Sequence, residues 1–524
     1  MSEALFYNLD ADFAAVGDGN TDDTQAFANA ISQLSTNGGT LQLGPKTYLV
    51  KTAGNGFTLP ANCRIQGVPG KTSLLLDHDN PNTLTPPYGS LFTFNGCDNI
   101  VLQDLQVKRN SAILSNLILI DDCKNVTLRN IVFDGQMSLY AGNALCHGIR
   151  YGNDGGVITN LSNIVVDSCE FSGLAFSIYI TNNSTASIDG FTVRGCSFHD
   201  NYADDVNFNS PNGTFVGGQV IGNRFRNGLS TSNVGGFAID FANVQNSLIS
   251  DNIISDYPYN TIHLEDRTSH ISITNNIMTN CAKLDESVIQ IISGTTFVAI
   301  TGNNFHQDDI EEGPRQSTAM IYVGPGSGAV TPGAITITGN NFSLSNMWHG
   351  IDAFSVARVV VSGNHFEGAG TVSNGVYTGG TNNAVGITNG GPAVVSGNYC
   401  FGMNSFIPGT TSAFRTMSGT ITNNSVHQCN CGMDLKPTGS CIVTGNYFTN
   451  CVHSLVSGSN EVTIAQQAVI ALNYAVGCAN EMEATHDNFW GGVAETQRMV
   501  ALNCDDSQGT VGFPIQRFLG SEIH

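Results

Sequence analysis

The sequence predicts an all-β chain wound as a parallel β-helix, a solenoid of short strands stacked coil upon coil. Three observations carry this. One corner phrase recurs nine times. Its copies are one coil or more apart. A short run rich in β-branched residues precedes each copy.

The phrase reads Thr301-Gly302-Asn303-Asn304-Phe305, Thr338-Gly339-Asn340-Asn341-Phe342, Ser362-Gly363-Asn364-His365-Phe366 and Thr444-Gly445-Asn446-Tyr447-Phe448, with five looser copies. Its asparagines are Asn223, Asn252, Asn276, Asn303, Asn340, Asn364, Asn398, Asn424 and Asn446. Subtracting successive positions gives steps of 29, 24, 27, 37, 24, 34, 26 and 22 residues. A floor in the low twenties with variable excess fits one coil with loops inserted in some turns. Runs such as Ile335-Thr336-Ile337 and Val359-Val360-Val361 are too short to bury an apolar face alone. Stacked on the next copy about 4.8 Å away, they bury it. Gly-Asn and Asn-Asn suit a sharp corner because both residues tolerate positive φ. Asparagines repeated at one corner predict a hydrogen-bonded side-chain ladder. A β-sandwich would not repeat one corner phrase nine times.

Composition agrees with tight corners and short strands. There are 59 glycines among 524 residues, and only 12% of residues are charged. A chain longer than one ordinary globular core is accommodated by growth along an axis. The net charge of −22 excludes nucleic acid as the expected partner. It also weighs against a strongly anionic polymer unless a local basic residue or a cation intervenes. Of the 14 cysteines, Cys169 and Cys196 stand where later copies carry the corner asparagine, so stacked, reduced interior thiols are expected. Cys429 and Cys431, with Cys441, Cys451 and His427, have zinc-ligand types. They also fall at core-like positions of successive coils, so neither a metal nor a cofactor is expected. Many free thiols suggest assembly in a reducing compartment. No signal peptide, membrane span or lipidation motif opens the sequence, and no membrane insertion is expected.

Residues 1–50 read as an N-terminal cap. An amphipathic helix is predicted over 25–34, with Phe27, Ala28, Ile31 and Leu34 on one face and Asp22 or Asp23 as N-cap. Gly38-Gly39 ends the approach and Thr40-Leu41-Gln42-Leu43 starts the first strand. Residues 51–460 read as the β-helix, about 13 coils. Residues 461–524 read as an irregular C-terminal coil and cap, and as an oligomer contact. Two excursions interrupt the repeats: 137–160, with Tyr140, His147, Arg150 and Tyr151, and 306–318, with Asp308, Asp309, Glu311, Glu312 and Arg315.

The phrase Gly17-Asp18-Gly19-Asn20-Thr21-Asp22-Asp23-Thr24, followed by Gly38-Gly39 and Thr47-Tyr48, resembles the N-terminal segment of the pectate-lyase-like right-handed parallel β-helix superfamily. The resemblance implies a right-handed coil whose open end is capped by the helix, and a structural role for Asp22 and Asp23. A cap is physically required, because an open end exposes unpaired strand edges. With the free thiols and the absent leader, the chain also resembles phage tailspike depolymerases. That likeness implies assembly in a host cytoplasm, action outside it and a homotrimer.

A second short strand follows each corner. Aligning Ile178, Val206, Ile239, Ile262, Ile289 and Ile321 as inward residues puts Tyr179, Asn207, Asp240, His263, Gln290 and Tyr322 in one solvent-facing column. The column continues to Asp352 and Tyr377 if Ile351 and Val376 align. The next column holds Asn209 and Glu265, and the preceding one holds Asp205. Aromatics, amides and acids on rigid strands are the groups that bind sugars. Asp240 is the expected catalytic carboxyl, with Glu265 and Asp205 as acidic neighbours and His263 in the next coil. Strand geometry separates these carboxyls by about 5–9 Å, the range that serves glycoside hydrolysis. Tyr179, Asn207, Asn209, Arg267, Gln290 and Tyr322 are the expected substrate contacts.

The order Asp204-Asp205, His263, Arg267 resembles the polygalacturonase branch in outline only. An extra coil with Asp240 intervenes, Ile262 replaces a glycine, and Thr181-Asn182-Asn183 lacks the branch's first acidic motif. The expected function is therefore an endo-acting glycoside hydrolase on a bacterial exopolysaccharide or capsule. One alternative is a lyase or epimerase on uronates, using Tyr179, Tyr322 or His263 as base. A calcium loop at 308–312 would assist it, although the epimerase Asp-Pro-His-Glu motif is absent. The other alternative is a non-catalytic glycan-binding spike.

Overall fold

Strands pair with their counterparts one coil on, and in parallel, in a computed structural model of the chain. The structure describes residues 5–52, 56–78, 89–111, 115–139, 146–151, 160–181, 185–231, 235–284, 287–308, 319–328, 330–344, 349–388, 391–407, 419–434, 441–457, 468–471, 473–484, 499–502 and 505–506. Among them, the antiparallel exception is the hairpin of Thr371–Ser373 with Val376–Thr378. No helix among the described residues is long and apolar enough to cross a membrane. The chain divides into two compact units, Met1–Ser272 and Ile273–His524.

The first unit opens with a helix that the sequence did not suggest, Leu9–Phe13, capped by Asn8, whose Oδ1 accepts from the Asp10 and Ala11 amides. The predicted helix runs longer than expected, over Thr24–Asn37. It buries Ala26, Phe27, Ala30, Ile31 and Leu34, and Phe27 meets the Tyr48 ring edge-on at 5.8 Å. Asp23 occupies the N-cap position, but its carboxylate does not cap the helix. It accepts from the Val16 and Gly17 amides at 2.7 and 3.0 Å, closing the preceding loop. Asp22 instead accepts from the Thr24 amide at 3.0 Å. Both acids therefore hold the cap together.

Three strands make each coil. In the first unit, one set is Leu161–Asp167, Ser187–Arg194, Thr214–Ile221 and Val244–Ser250. After the corner come Glu170–Ser172, Ser197–His199, Arg224–Arg226 and Ile253–Ser255. The third set is Phe176–Thr181, Val206–Asn209, Ile239–Ala242 and Ile262–Glu265. The phenylalanine after each corner stacks on its counterpart: Phe133, Phe171, Phe198 and Phe225 lie 4.6–4.8 Å apart in sequence, with rings within 8° of parallel.

Both residues of the corner tolerate positive φ, but they do not both adopt it. Only the first does, as at Gly222 with φ 64° and Asp251 with φ 58°. The left-handed region suits glycine, and asparagine and aspartate tolerate it. The asparagine that follows is free to point inward, and its amide binds the next coil. Asn223 donates from both its backbone amide and Nδ2 to Asn252 Oδ1, at 2.9 and 3.0 Å. Cys196 donates its amide to Asn223 Oδ1, and Cys169 its amide to Cys196 Sγ, so the two cysteines do occupy the asparagine position.

The second unit repeats this plan. Asn276, Asn303, Asn340, Asn364, Asn398, Asn424 and Asn446 form a continuous ladder by the same pair of bonds. Asn473, in a weaker copy of the phrase, extends it. Phe305, Phe342 and Phe366 stack beside the ladder at 4.7 Å. Parallel strands persist past residue 460, at Ala468–Ala471, Tyr474–Val476, Asn480–Ala484 and Met499–Leu502, where an irregular cap was expected. Phe489-Trp490 and Phe513-Pro514-Ile515 lie outside the described residues. The described cysteines are buried except Cys431, which is half-buried. Cys431 pairs in register with Ser405, and Cys441 pairs with Gly419 in another set of strands. Burial pushes the Cys441 thiol up to about 11, which keeps it protonated.

Candidate active site

In the third strand set of the first unit, Ile178, Val206, Ile239 and Ile262 share one inward column, and Ile180, Phe208, Phe241 and Leu264 the other. All eight are fully buried. Apolar alternation thereby fixes the direction of the residues between them. Tyr179, Asn207, Asp240 and His263 form one outward column, in register from strand to strand. Thr181, Asn209, Ala242 and Glu265 form the next.

The outward column is not solvated as alternation suggests. Asn207, Asp240 and His263 are only 6%, 4% and 8% exposed. Coils spaced by a strand's width crowd one another, and the Phe237 ring sits edge-on to His263 at 4.7 Å. This burial supplies the electrostatics. It pushes the Asp240 carboxyl far above its ordinary range, and the charges of Asp204 and Glu265 push it further. Glu265 rises to about 7, by burial first and then by the charges of Asp266 and Asp204. Burial lowers His263 to about 4, leaving a neutral ring.

A chain of polar contacts links these groups. Asp204 Oδ1 accepts from the Gly236 and Phe237 amides at 2.7 and 3.0 Å. Asn207 Nδ2 donates to Asp204 Oδ2 and Asp240 Oδ2, both at 2.8 Å. Asp240 Oδ1 lies 3.5 Å from His263 Nδ1, and His263 Nε2 lies 3.9 Å from Glu265 Oε2. Asp240, His263 and Glu265 each offer one atom within 4.8 Å of the others. Asp240 Oδ1, both His263 nitrogens and the side-chain oxygens of Asn207, Asn209 and Thr181 have no hydrogen-bond partner. Buried polar atoms without partners are costly, so a cluster of them marks a place where something binds.

Asp205 is the main correction. Its Oδ1 accepts from Ser177 Oγ and Asn201 Nδ2, each at 2.7 Å, and its Oδ2 accepts from the Tyr257 hydroxyl. It therefore ties coils together, and the neighbour that reaches Asp240 through Asn207 is Asp204. Strict alternation begins only at Val206, where the strand starts. In the preceding turn, parity does not govern direction. Asp205→Asn should lower the melting temperature by several degrees, as loss of buried acceptors costs about 1–3 kcal/mol. Turnover per folded molecule should stay at the parent's level, which thermal melts beside activity assays would check.

Arg267 is also displaced from its expected role. It follows the strand at φ 67° and reaches the Pro211 carbonyl at 3.5 Å, exposed and outside the cluster. The basic residue that the column does hold is Arg150, in register with Tyr179 and 8% exposed. Its guanidinium lies 5.6 Å from the Tyr179 ring centre, and His147 stacks on the same ring at 5.8 Å. The repeats carried no signal for Arg150, because its strand, Cys146–Tyr151, lies within what read as an excursion.

In the second unit, Gln290, Tyr322 and Asp352 share one column as expected. Gly386, not Tyr377, follows Asp352, because Tyr377 belongs to the antiparallel hairpin. Tyr140, Asn182, Asn183 and residues 309–318, and with them most of the candidate calcium loop, lie outside the described residues.

No protein-family model matches the chain, and no curated protein matches it. Among solved structures it is similar to the A-module of the mannuronan C-5 epimerase AlgE6 of Azotobacter vinelandii, at 14% identity over 96% of this chain and 100% of that one, with TM-score 0.37. It is similar to PfbA, a surface adhesin of Streptococcus pneumoniae, at 14% identity over 73% of this chain and 99% of that one, with TM-score 0.48. It is also similar to a mutant tailspike protein of E. coli bacteriophage HK620 in complex with a pentasaccharide, at 15% identity over 91% of this chain and 80% of that one, with TM-score 0.45. The strand register, coil on coil, identifies the fold of each unit as a right-handed parallel β-helix.

Proposed function

We propose that the protein is a polysaccharide-acting enzyme, an endo-acting glycoside hydrolase for a bacterial exopolysaccharide or capsule, with Asp240 as general acid and Glu265 as nucleophile. One observation carries this reading: the two carboxyls each place an oxygen within 4.8 Å of the other, on rigid strands, with a neutral imidazole between them. Their environments divide the roles. Asp240 is the more deeply buried and the more strongly held in its protonated form, as a proton donor must be. Glu265 is half-buried and nearer to ionisation.

In this reading Asp240 gives its proton to the glycosidic oxygen while a Glu265 oxygen attacks the anomeric carbon. The leaving sugar departs as an alcohol and a glycosyl ester forms on Glu265. Water then attacks the same carbon, giving its proton to Asp240 and releasing Glu265. Carboxyls about 5–5.5 Å apart favour this double displacement, whereas inverting enzymes need about 6.5–9.5 Å to seat a water. The unpartnered oxygens of Asn207, Asn209 and Thr181 accept from sugar hydroxyls.

A second reading, a lyase or epimerase on uronates, is favoured by Arg150 beside Tyr179 in the same column, a cation for a uronate carboxylate and a phenol for proton transfer. Incubation with a panel of purified polysaccharides separates the readings. Reducing-end release, with the anomeric configuration retained in the first product seen by proton NMR, is the expected outcome. Absorbance of an unsaturated uronate would replace the hydrolase by the lyase. Binding without release across the panel would leave a glycan-binding spike.

A further inference from the structure

We propose that Asp240, His263 and Glu265 form a binding site for a divalent first-row transition metal ion of the zinc class. Among the described residues, this is the one group of three potential ligands whose donor atoms converge, all within 4.8 Å. Zinc binds imidazole nitrogen and carboxylate oxygen at about 2.0–2.2 Å. Ligand atoms in such a tetrahedron lie about 3.3–3.6 Å apart, so side-chain movements of about 1 Å close the site.

A second observation, independent of the convergence, points to a ligand. Asp240 Oδ1 and both ring nitrogens of His263 have no hydrogen-bond partner, on side chains at least nine-tenths buried. A metal would satisfy Asp240 Oδ1 and one ring nitrogen directly. The other nitrogen would keep its proton, facing whichever carboxylate the metal leaves freer. The remainder of the polar chain suits a metal site as well. Asn207 fixes one oxygen of Asp240, and Asp204 fixes Asn207 while held by two backbone amides. Partners of this kind hold a carboxylate in position and sharpen metal affinity.

The donor set selects the metal class. One imidazole and two carboxylates suit zinc, cobalt or nickel, whereas calcium requires six to eight oxygens and magnesium keeps most of its water. Two carboxylates balance the dication, so the buried site becomes electrically neutral. Binding releases to solvent whatever protons the two carboxyls held. Three protein ligands leave a fourth position for water.

Binding rests on this geometry alone, and only its effect on turnover rests on the hydrolase reading. Intact protein, stripped with a chelator and dialysed, is titrated with cobalt(II) and followed by visible absorption and by calorimetry. The expected result is one equivalent per chain with the visible bands of a four-coordinate nitrogen–oxygen site, displaced by zinc. Glu265→Gln, at the half-buried edge of the site, should weaken binding by roughly 100-fold, and His263→Gln should do the same. Circular dichroism and a parent-like melt confirm that each variant is folded. Absence of saturable binding by the parent at millimolar cobalt overturns the proposal. So does the near-ultraviolet charge-transfer band of a cobalt thiolate as the signature of the bound equivalent, or parent-like affinity in folded Glu265→Gln. Zinc at one equivalent should also abolish turnover, with recovery on chelation. One bound equivalent with turnover unchanged leaves the metal site standing and overturns Asp240 and Glu265 as the acid and nucleophile.

Discussion

Asp240→Asn loses turnover by about two to four orders of magnitude while the fold and glycan binding survive. Three features support both halves of this expectation. The side chain sits mid-strand between Ile239 and Phe241, which are fully buried, so its direction is set by packing and not by its charge. An amide of the same shape still offers an oxygen to Asn207 Nδ2, which now binds Asp240 Oδ2 at 2.8 Å. The variant, however, has no proton to deliver to a leaving oxygen. Because burial already holds Asp240 towards its neutral form, replacing it by a neutral amide relieves a cost instead of imposing one. Glu265→Gln should lose turnover comparably, since an amide cannot form the glycosyl ester. Steady-state rates on a substrate that the parent cleaves, beside affinity measured by calorimetry, check both. Parent-like turnover in both variants would move the active site off this face.

Asn340→Ala is the second large effect, and Asn341→Ala is its internal control. Asn340 Oδ1 accepts from the backbone amide and Nδ2 of Asn303, at 2.9 and 3.0 Å. Its Nδ2 donates to the Ile300 carbonyl and to Asn364 Oδ1, each at 3.0 Å. Truncation removes four bonds in a fully buried column and leaves the Asn303 amide without its acceptor. Orphaning buried groups costs about 1–3 kcal/mol each, so a total of about 3–5 kcal/mol is expected. Asn341 is exposed, and its single side-chain bond, to Asn304 at 2.8 Å, is replaceable by water. Its truncation should cost under about 1 kcal/mol. Urea unfolding should show a clear fall in midpoint for Asn340→Ala and almost none for Asn341→Ala. Equal shifts in the two would mean that the ladder does not carry the stability assigned to it.

The contrast between those adjacent residues shows what was legible without coordinates. In a coil, spatial neighbours are residues one repeat apart, so recurrence in the chain predicts contact in space. The asparagine ladder and the place of Cys169 and Cys196 in it followed from the repeat alone. Alternation inside a strand likewise put Asp240, His263 and Glu265 on one face, because the inward residues Ile239, Phe241, Ile262 and Leu264 leave no other direction.

Only the tertiary structure decided what lies outside the periodic segments. Asp204 rather than Asp205 joins Asp240 because a turn, and not a strand, positions both. Arg150 rather than Arg267 enters the column because one sits on a strand and the other on a left-handed turn. Tyr377 leaves the column because a hairpin carries it away. The burial of Asp240 and His263 was equally invisible to alternation, which says which way a side chain points but not what covers it. Desolvation sums over every neighbour within reach, and those neighbours come from separate coils and from insertions that no repeat encodes. The sequence by itself determined the coil and the residues on its face. The packing of non-repeating turns around that face determined which of them meet, and in which protonation state.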